Sequence, residues 1–161
     1  MSDLFQQQTP IVQITLTAAT ANQPSIREIP FQGFLNLRGK PNNSGFIAAV
    51  KKVLGCSLPI ESNTVAVSGD YKIYWLGPDE WLVITPTEQQ ARVQLELISA
   101  LGDIFSSVVD NSSGMTLLNI TGDNAANLIA RDCPLDLHPS VFTAGQCAQT
   151  RLAKSGALIA P

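Results

Sequence analysis

Asp132-Cys133-Pro134-Leu135-Asp136-Leu137-His138-Pro139 gathers the only histidine of the chain, one of its three cysteines and two carboxylates into one short stretch. Residues of these types carry out metal, acid–base or nucleophilic chemistry. A metal centre needs three or four convergent ligands. Cys133 and His138 would supply two, and Asp132 or Asp136 a third. A Cys–His nucleophile needs an activated thiol and an oxyanion site, and nothing in the sequence suggests either. Pro134 and Pro139 fix their own φ and push the residues before them toward extended backbone. Convergence is therefore not imposed. The favoured reading is a shaped turn in which Asp136 and His138 bond nearby backbone groups, against the alternative that the two share one face of a short strand.

Gly77-Pro78-Asp79-Glu80-Trp81 is the second candidate. Paired acids beside an aromatic ring could hold a cationic or pterin-like ring. Hairpin turns also favour Pro and Asp, and Trp81 reads as core, so a turn is again preferred. Gly39, Gly45 and Gly55 form neither a dinucleotide fingerprint nor a phosphate loop. With one histidine and no Ser-His-Asp spacing, no catalytic set is evident.

The elements that must position these stretches follow from periodicity. Residues 1–25 read as a flexible polar arm, a strand-like alternation over 11–17 and a linker from Ala18 to Pro24. From residue 26 onward one patterned domain runs to residue 161. Strands are expected over 26–29 and 33–38, the second closing at Gly39. A helix capped by Asn42 or Asn43 carries Phe46, Ala49, Val50, Val53 and Leu54 on one face and ends at Gly55. Three strands, 64–67, 71–76 and 81–85, precede a second helix, with Thr87 as N-cap, Gln90 completing a capping box, and Val93, Leu97, Ile98 and Leu101 on its inner face. Strands near 105–110 and 115–120, a third helix from Thr121 or Asp123, and a strand over 146–153 complete the pattern. The fold class is α+β, a mostly antiparallel sheet with about three helices. Its edges need covering by a helix or a partner.

Bulk properties narrow the partners. The 161 residues suit one domain. A net charge of -3 and no basic run longer than Lys51-Lys52 argue against nucleic acid or an anionic membrane. Charged residues are 14% of the chain, against about 25% in ordinary soluble domains. Mean hydropathy is +0.14, yet no apolar run reaches the ~18 residues of a membrane span. Part of such a surface is expected to lie against another protein. Three cysteines without CxxC spacing and a polar start to the chain point to free thiols in a reducing cytoplasm.

Four stretches together resemble a known family. These are Leu37-Arg38-Gly39 with the Phe46 to Gly55 helix and Leu58-Pro59; Asn63-Thr64; Trp75 to Leu82; and Ala130 to Thr150, including the 132–139 octet, Phe142, Gly145 and Cys147-Ala148-Gln149-Thr150. In this order and spacing they look like the gamma subunit of bacterial heterotetrameric sarcosine oxidase. The resemblance implies a fold related to the folate-binding domains of the glycine-cleavage T-protein and of the tRNA-modification GTPase. It also implies a non-catalytic subunit of a cytoplasmic complex that demethylates sarcosine oxidatively, giving glycine, hydrogen peroxide and a one-carbon unit for tetrahydrofolate. FAD, FMN, NAD and zinc are expected on the alpha, beta and delta partners, none on this chain.

Within the chain, Asp79, Glu80, Trp81, Asp136 and His138 are expected to set contacts or shape. The loop Asn111-Ser112-Ser113-Gly114-Met115 lacks charges that relatives often carry. Relatives also run on past residue 161 with a further strand and helix, so a truncation or a partner covering the gap is expected. A stand-alone folate-binding one-carbon module and an independent enzyme built on Cys133 and His138 are the competing readings.

Overall fold

The computed structural model describes Gln8, Thr9, Ile11 and residues 23–161. Most of the expected arm, the strand-like alternation over 11–17 and the linker lie outside the described residues.

Strand β1 covers Ser25–Ile29 and β2 covers Gly33–Gly39. Helix α1 runs Ser44–Leu54. The Asn43 side chain accepts the Phe46 N–H at 3.2 Å, which satisfies one of the orphan donors of its first turn. Gly55 closes the helix in the left-handed region at φ 76, its N–H donating to the Lys51 carbonyl at 2.9 Å. Phe46, Val50 and Leu54 form the buried stripe.

Strands β3 (Val65–Ser68), β4 (Tyr71–Gly77) and β5 (Glu80–Thr85) form an antiparallel meander. Helix α2 covers Gln90–Leu101. Here the expected capping box does not form: the N-cap is Gln89, without a side-chain cap bond, and Thr87 Oγ1 instead accepts from Gln32 Nε2 at 3.2 Å. Glu88 takes φ 63, which separates Thr87 from the first turn. Val93, Leu97 and Leu101 are buried, but Ile98 is exposed. At about 100° per residue it falls off the stripe of i, i+4 and i+8 positions.

Strand β6 covers Ser106–Asp110, a 3-10 turn follows over Ser112–Gly114, and β7 covers Leu117–Thr121. Helix α3 is Ala125–Ala130, starting later than the expected Thr121 or Asp123 because Thr121 is still paired with Ser25 in a strand. The expected strand over 146–153 is β8, Ala148–Leu152. It is followed by a strand that the pattern does not announce, β9, Ser155–Ile159. The tight turn between them holds Ala153 at φ 52.

The strands make a five-stranded sheet in the order β3-β4-β5-β2-β6, with β1–β7 and β8–β9 as separate two-stranded ribbons. Every pairing is antiparallel. On one face, α1 and α2 bury Leu35, Leu37, Ile73, Trp81, Val83 and Val108. The other face buries Phe34, Tyr74, Leu82 and Ile84 beneath Cys147, with Leu117 and Leu158 packed against it. Among the described residues no helix is long and apolar enough to cross a membrane.

Two substitutions check this architecture by urea unfolding. Asn43→Ala removes one cap bond and is expected to cost about 1 kcal/mol. A methyl group on Gly39 would run into the Phe46 ring, so Gly39→Ala is expected to cost about 3 kcal/mol. Equal losses would mean that the strand-to-helix approach is looser than described.

Candidate functional site

The octet follows α3 and contains no strand or helix. Asp136 Oδ1 accepts the His138 N–H at 2.9 Å, a side chain closing its own turn two residues on. The His138 carbonyl accepts the N–H groups of Val141 and Phe142 at 2.8 and 3.0 Å. Its ring Nδ1 lies 2.7 Å from Ser140 Oγ and accepts the Ser140 N–H at 3.2 Å. With its N–H and C=O engaged and Nδ1 tied to Ser140, the histidine is held to its own turn. The alternative in which Asp136 and His138 line one face of a strand is not what the chain adopts.

Cys133 is buried, its sulfur 3.7 Å from Thr150 Oγ1 on β8. The Asp132 carbonyl accepts from Ala153 N–H at 2.8 Å. The octet is thus fastened at its start to the β8–β9 hairpin, and Cys133 and His138 take separate partners. Among the described residues no group of three His, Cys, Asp or Glu side chains is placed to hold a metal ion.

The second candidate is the tight turn joining β4 and β5. Asp79 and Glu80 do not converge on open space. Arg38 on β2 lies 3.3 Å from Asp79 Oδ1 and 3.8 Å from Glu80 Oε2, and Asn36 Nδ2 donates to Glu80 Oε1 at 2.8 Å. The Gly39 N–H donates to the Asp79 carbonyl at 3.1 Å. The ion pairs are exposed and contribute little individually. Together with the backbone bond they hold the turn against the end of β2. Trp81 is fully buried, its Nε1 donating to the Pro59 carbonyl at 2.7 Å and its ring centroid 5.8 Å from that of Phe46. It lies within the core and offers no surface to a ligand.

The clamp of Asn36 and Arg38 is absent from the sequence reading. The alternation of β2 carries the signal, since both sit on the face opposite Leu35 and Leu37, in register with the acidic turn. Two open clefts lie elsewhere on the surface. One of about 400 Å³ lies between the end of α1 and the β3–β4 turn, with Lys52 and Asp70 in its wall. The other, about 200 Å³, lies between the β1–β7 ribbon and the start of α2. The Gln90 Oε1 atom beside it is buried without a hydrogen-bond partner among the described residues.

Titration of the buried groups adds a property rather than a site. Burial pushes the Cys147 thiol above its ordinary 9.0, opposed by its contact with the Trp75 backbone. Burial, and then Cys147 itself, push Tyr74 above 10.0. A raised thiol is the opposite of an activated nucleophile.

The folded chain holds both protons more tightly than the unfolded chain. Their contribution to stability is therefore complete below the ordinary values and is lost as pH rises through the raised ones. The urea midpoint is expected to hold between about pH 6 and 8 and to fall above about pH 9. Cys147→Ala is expected to flatten that fall. An unchanged slope in the variant would remove Cys147 as its cause.

Residues 38–160 match the model of the "Sarcosine oxidase, gamma subunit family". The sarcosine oxidase subunit gamma of Corynebacterium sp. (strain P-1) is 36% identical over 142 residues, covering 88% of this chain and 68% of that protein. A chain of the heterotetrameric sarcosine oxidase from Corynebacterium sp. U-96, solved in complex with pyrrole 2-carboxylate, superposes with a TM-score of 0.78. It is 32% identical, and the match covers 87% of this chain and 71% of that one. The glycine cleavage system aminomethyltransferase T from Bartonella henselae gives a TM-score of 0.58 at 14% identity, covering 81% of this chain and 37% of that one. That likeness is one of fold alone.

Proposed function

Because the chain belongs to the sarcosine oxidase gamma subunit family, we propose that it serves as the small, catalytically silent subunit of a cytoplasmic sarcosine oxidase. On this reading the alpha, beta and delta partners hold FAD, FMN, NAD and zinc. The assembly oxidises sarcosine to glycine, reduces oxygen to hydrogen peroxide and passes the one-carbon unit to tetrahydrofolate. The observation that carries the reading is the family match across residues 38–160, supported by a relative that forms part of a heterotetrameric enzyme.

The geometry of both candidate stretches is consistent with a silent role. Asp136 and His138 close their own turn, while Asp79 and Glu80 are held by Arg38 and Asn36. Low charge, 14% of residues, supports a surface designed to be covered.

Co-expression of the alpha, beta and delta subunits with and without this chain provides the test, with sarcosine-dependent peroxide release as readout. Omission is expected to abolish the assembled enzyme. Replacing His138 or Cys133 by Ala is expected to leave turnover per assembled complex within about two-fold, as for residues outside the transition-state contacts. Full activity without the chain would sink the proposal. A loss of turnover by two orders of magnitude in assembled His138→Ala would restore the catalytic reading of the octet. Saturable tetrahydrofolate binding by the chain alone would favour the stand-alone folate module instead.

A further inference from the structure

We propose that the outward edge of β6 receives an extended strand from a partner polypeptide, adding a sixth strand to the sheet. The identity of that polypeptide as another subunit rests on the reading above.

The five-stranded order leaves β3 and β6 at the two edges. The chain itself covers the start of the β3 edge, leaving Val67 as its open outward position. Val65 N–H donates to the Gly145 carbonyl at 2.9 Å, Cys147 N–H donates to the Asn63 carbonyl at 2.8 Å, and Thr64 bridges Gln146. Among the described residues no strand lies along the far side of β6.

The register says which groups are left. Asn111 N–H donates to the Phe34 carbonyl at 2.8 Å, and Leu35 stands opposite Asp110. Alternation along an antiparallel pair therefore aims the backbone groups of residues 107, 109 and 111 at β2, and those of Ser106, Val108 and Asp110 away from it. One outward group has a substitute partner. Gln94 Nε2, from α2, donates to the Val108 carbonyl at 3.0 Å, where the N–H of a neighbouring strand would donate.

The edge lacks two of the usual guards. Ser106-Ser107-Val108-Val109-Asp110 contains no proline and no lysine. Apolar surface flanks it: Phe105 is 88% exposed, Val109 48%, and Leu95 and Ile98 are open on α2, which packs beside β6. An extended segment with aliphatic residues at alternate positions fits both the backbone groups and this surface. Asp103 and Asp110 disfavour an acidic one.

A second copy of the chain fits less well. Self-pairing centred on Val108 would displace two Gln94 amides at one dyad and strand both in the contact, whereas a foreign strand displaces one.

Hydrogen–deuterium exchange at the Ser106, Val108 and Asp110 amides tests the proposal. It compares the full chain alone with the chain co-expressed with alpha, beta and delta. Exchange is expected to be fast in the free chain and at least ~100-fold slower in the complex. Val109→Lys, at an exposed position, and Ser106→Pro, which removes an outward N–H, are each expected to weaken assembly by about ten-fold or more while leaving the urea midpoint near the parent value. Val67→Lys, at an exposed position on the other edge strand, is the control and is expected to leave assembly unchanged.

A complex that forms while these amides keep exchanging fast overturns strand addition and leaves the subunit reading standing. Failure to form any complex overturns both. Protection already present in the free chain overturns the proposal in favour of self-coverage, and dilution separates coverage by the chain's own residues from coverage by a second copy.

Discussion

Strand β2 is hydrogen-bonded on both sides and buried along its whole helical face, and the rest of the molecule is arranged around that constraint. Its backbone joins β5 to β6. Leu35 and Leu37 enter the helical core, while Phe34 enters the opposite one. A strand in this position tolerates no unsatisfied backbone group and little change in volume. Gly39 at its end is fixed by the Phe46 ring, and Gly33 at its start lies under Thr85 and Gln90. Both candidate stretches are referred to this frame. The acidic turn is clamped by side chains of β2, whereas the octet reaches the body through the β8–β9 hairpin.

The sequence was most legible where local chemistry and tertiary packing agree. Asn43, the Phe46-Val50-Leu54 stripe and Gly55 form a self-consistent helix, and the structure keeps all three. The octet was legible as a turn because two prolines and an Asx residue specify backbone geometry without reference to the rest of the chain. Thr87 failed as a cap because a distant residue, Gln32, competes for its hydroxyl and Glu88 breaks the local geometry. Ile98 failed because aliphatic chemistry does not say which side of a helix faces the core. Strand β9 was hidden since Ser-Gly-Ala-Leu-Ile carries no strict alternation. The clamp of Asn36 and Arg38 requires strand register, which no single segment encodes.

The two faces of the sheet differ in how they are filled. The helical face is closed by contiguous aliphatic side chains and two aromatic rings. The other face is closed by single residues drawn from several segments, Cys147, Leu117 and Leu158 among them, and α3 contributes no buried residue at all. The last third of the chain therefore relies more on turns and ribbons than on a core of its own, and its mean burial is correspondingly shallow. Two-stranded ribbons are marginal in isolation.

The strand order also carries a consequence for synthesis. β2 is made before either of its neighbours, because Trp81, opposite Leu37, and Val108, on its other side, emerge only later. The β3–β4–β5 meander closes through short turns and can form early. The nascent chain must therefore hold one of its most apolar strands unpaired until the meander and then β6 arrive. During that interval β2 and the open side of β5 are the segments most exposed to wrong pairing. Slow translation between residues 40 and 85 would lengthen the exposure, while rapid delivery of the meander would shorten it.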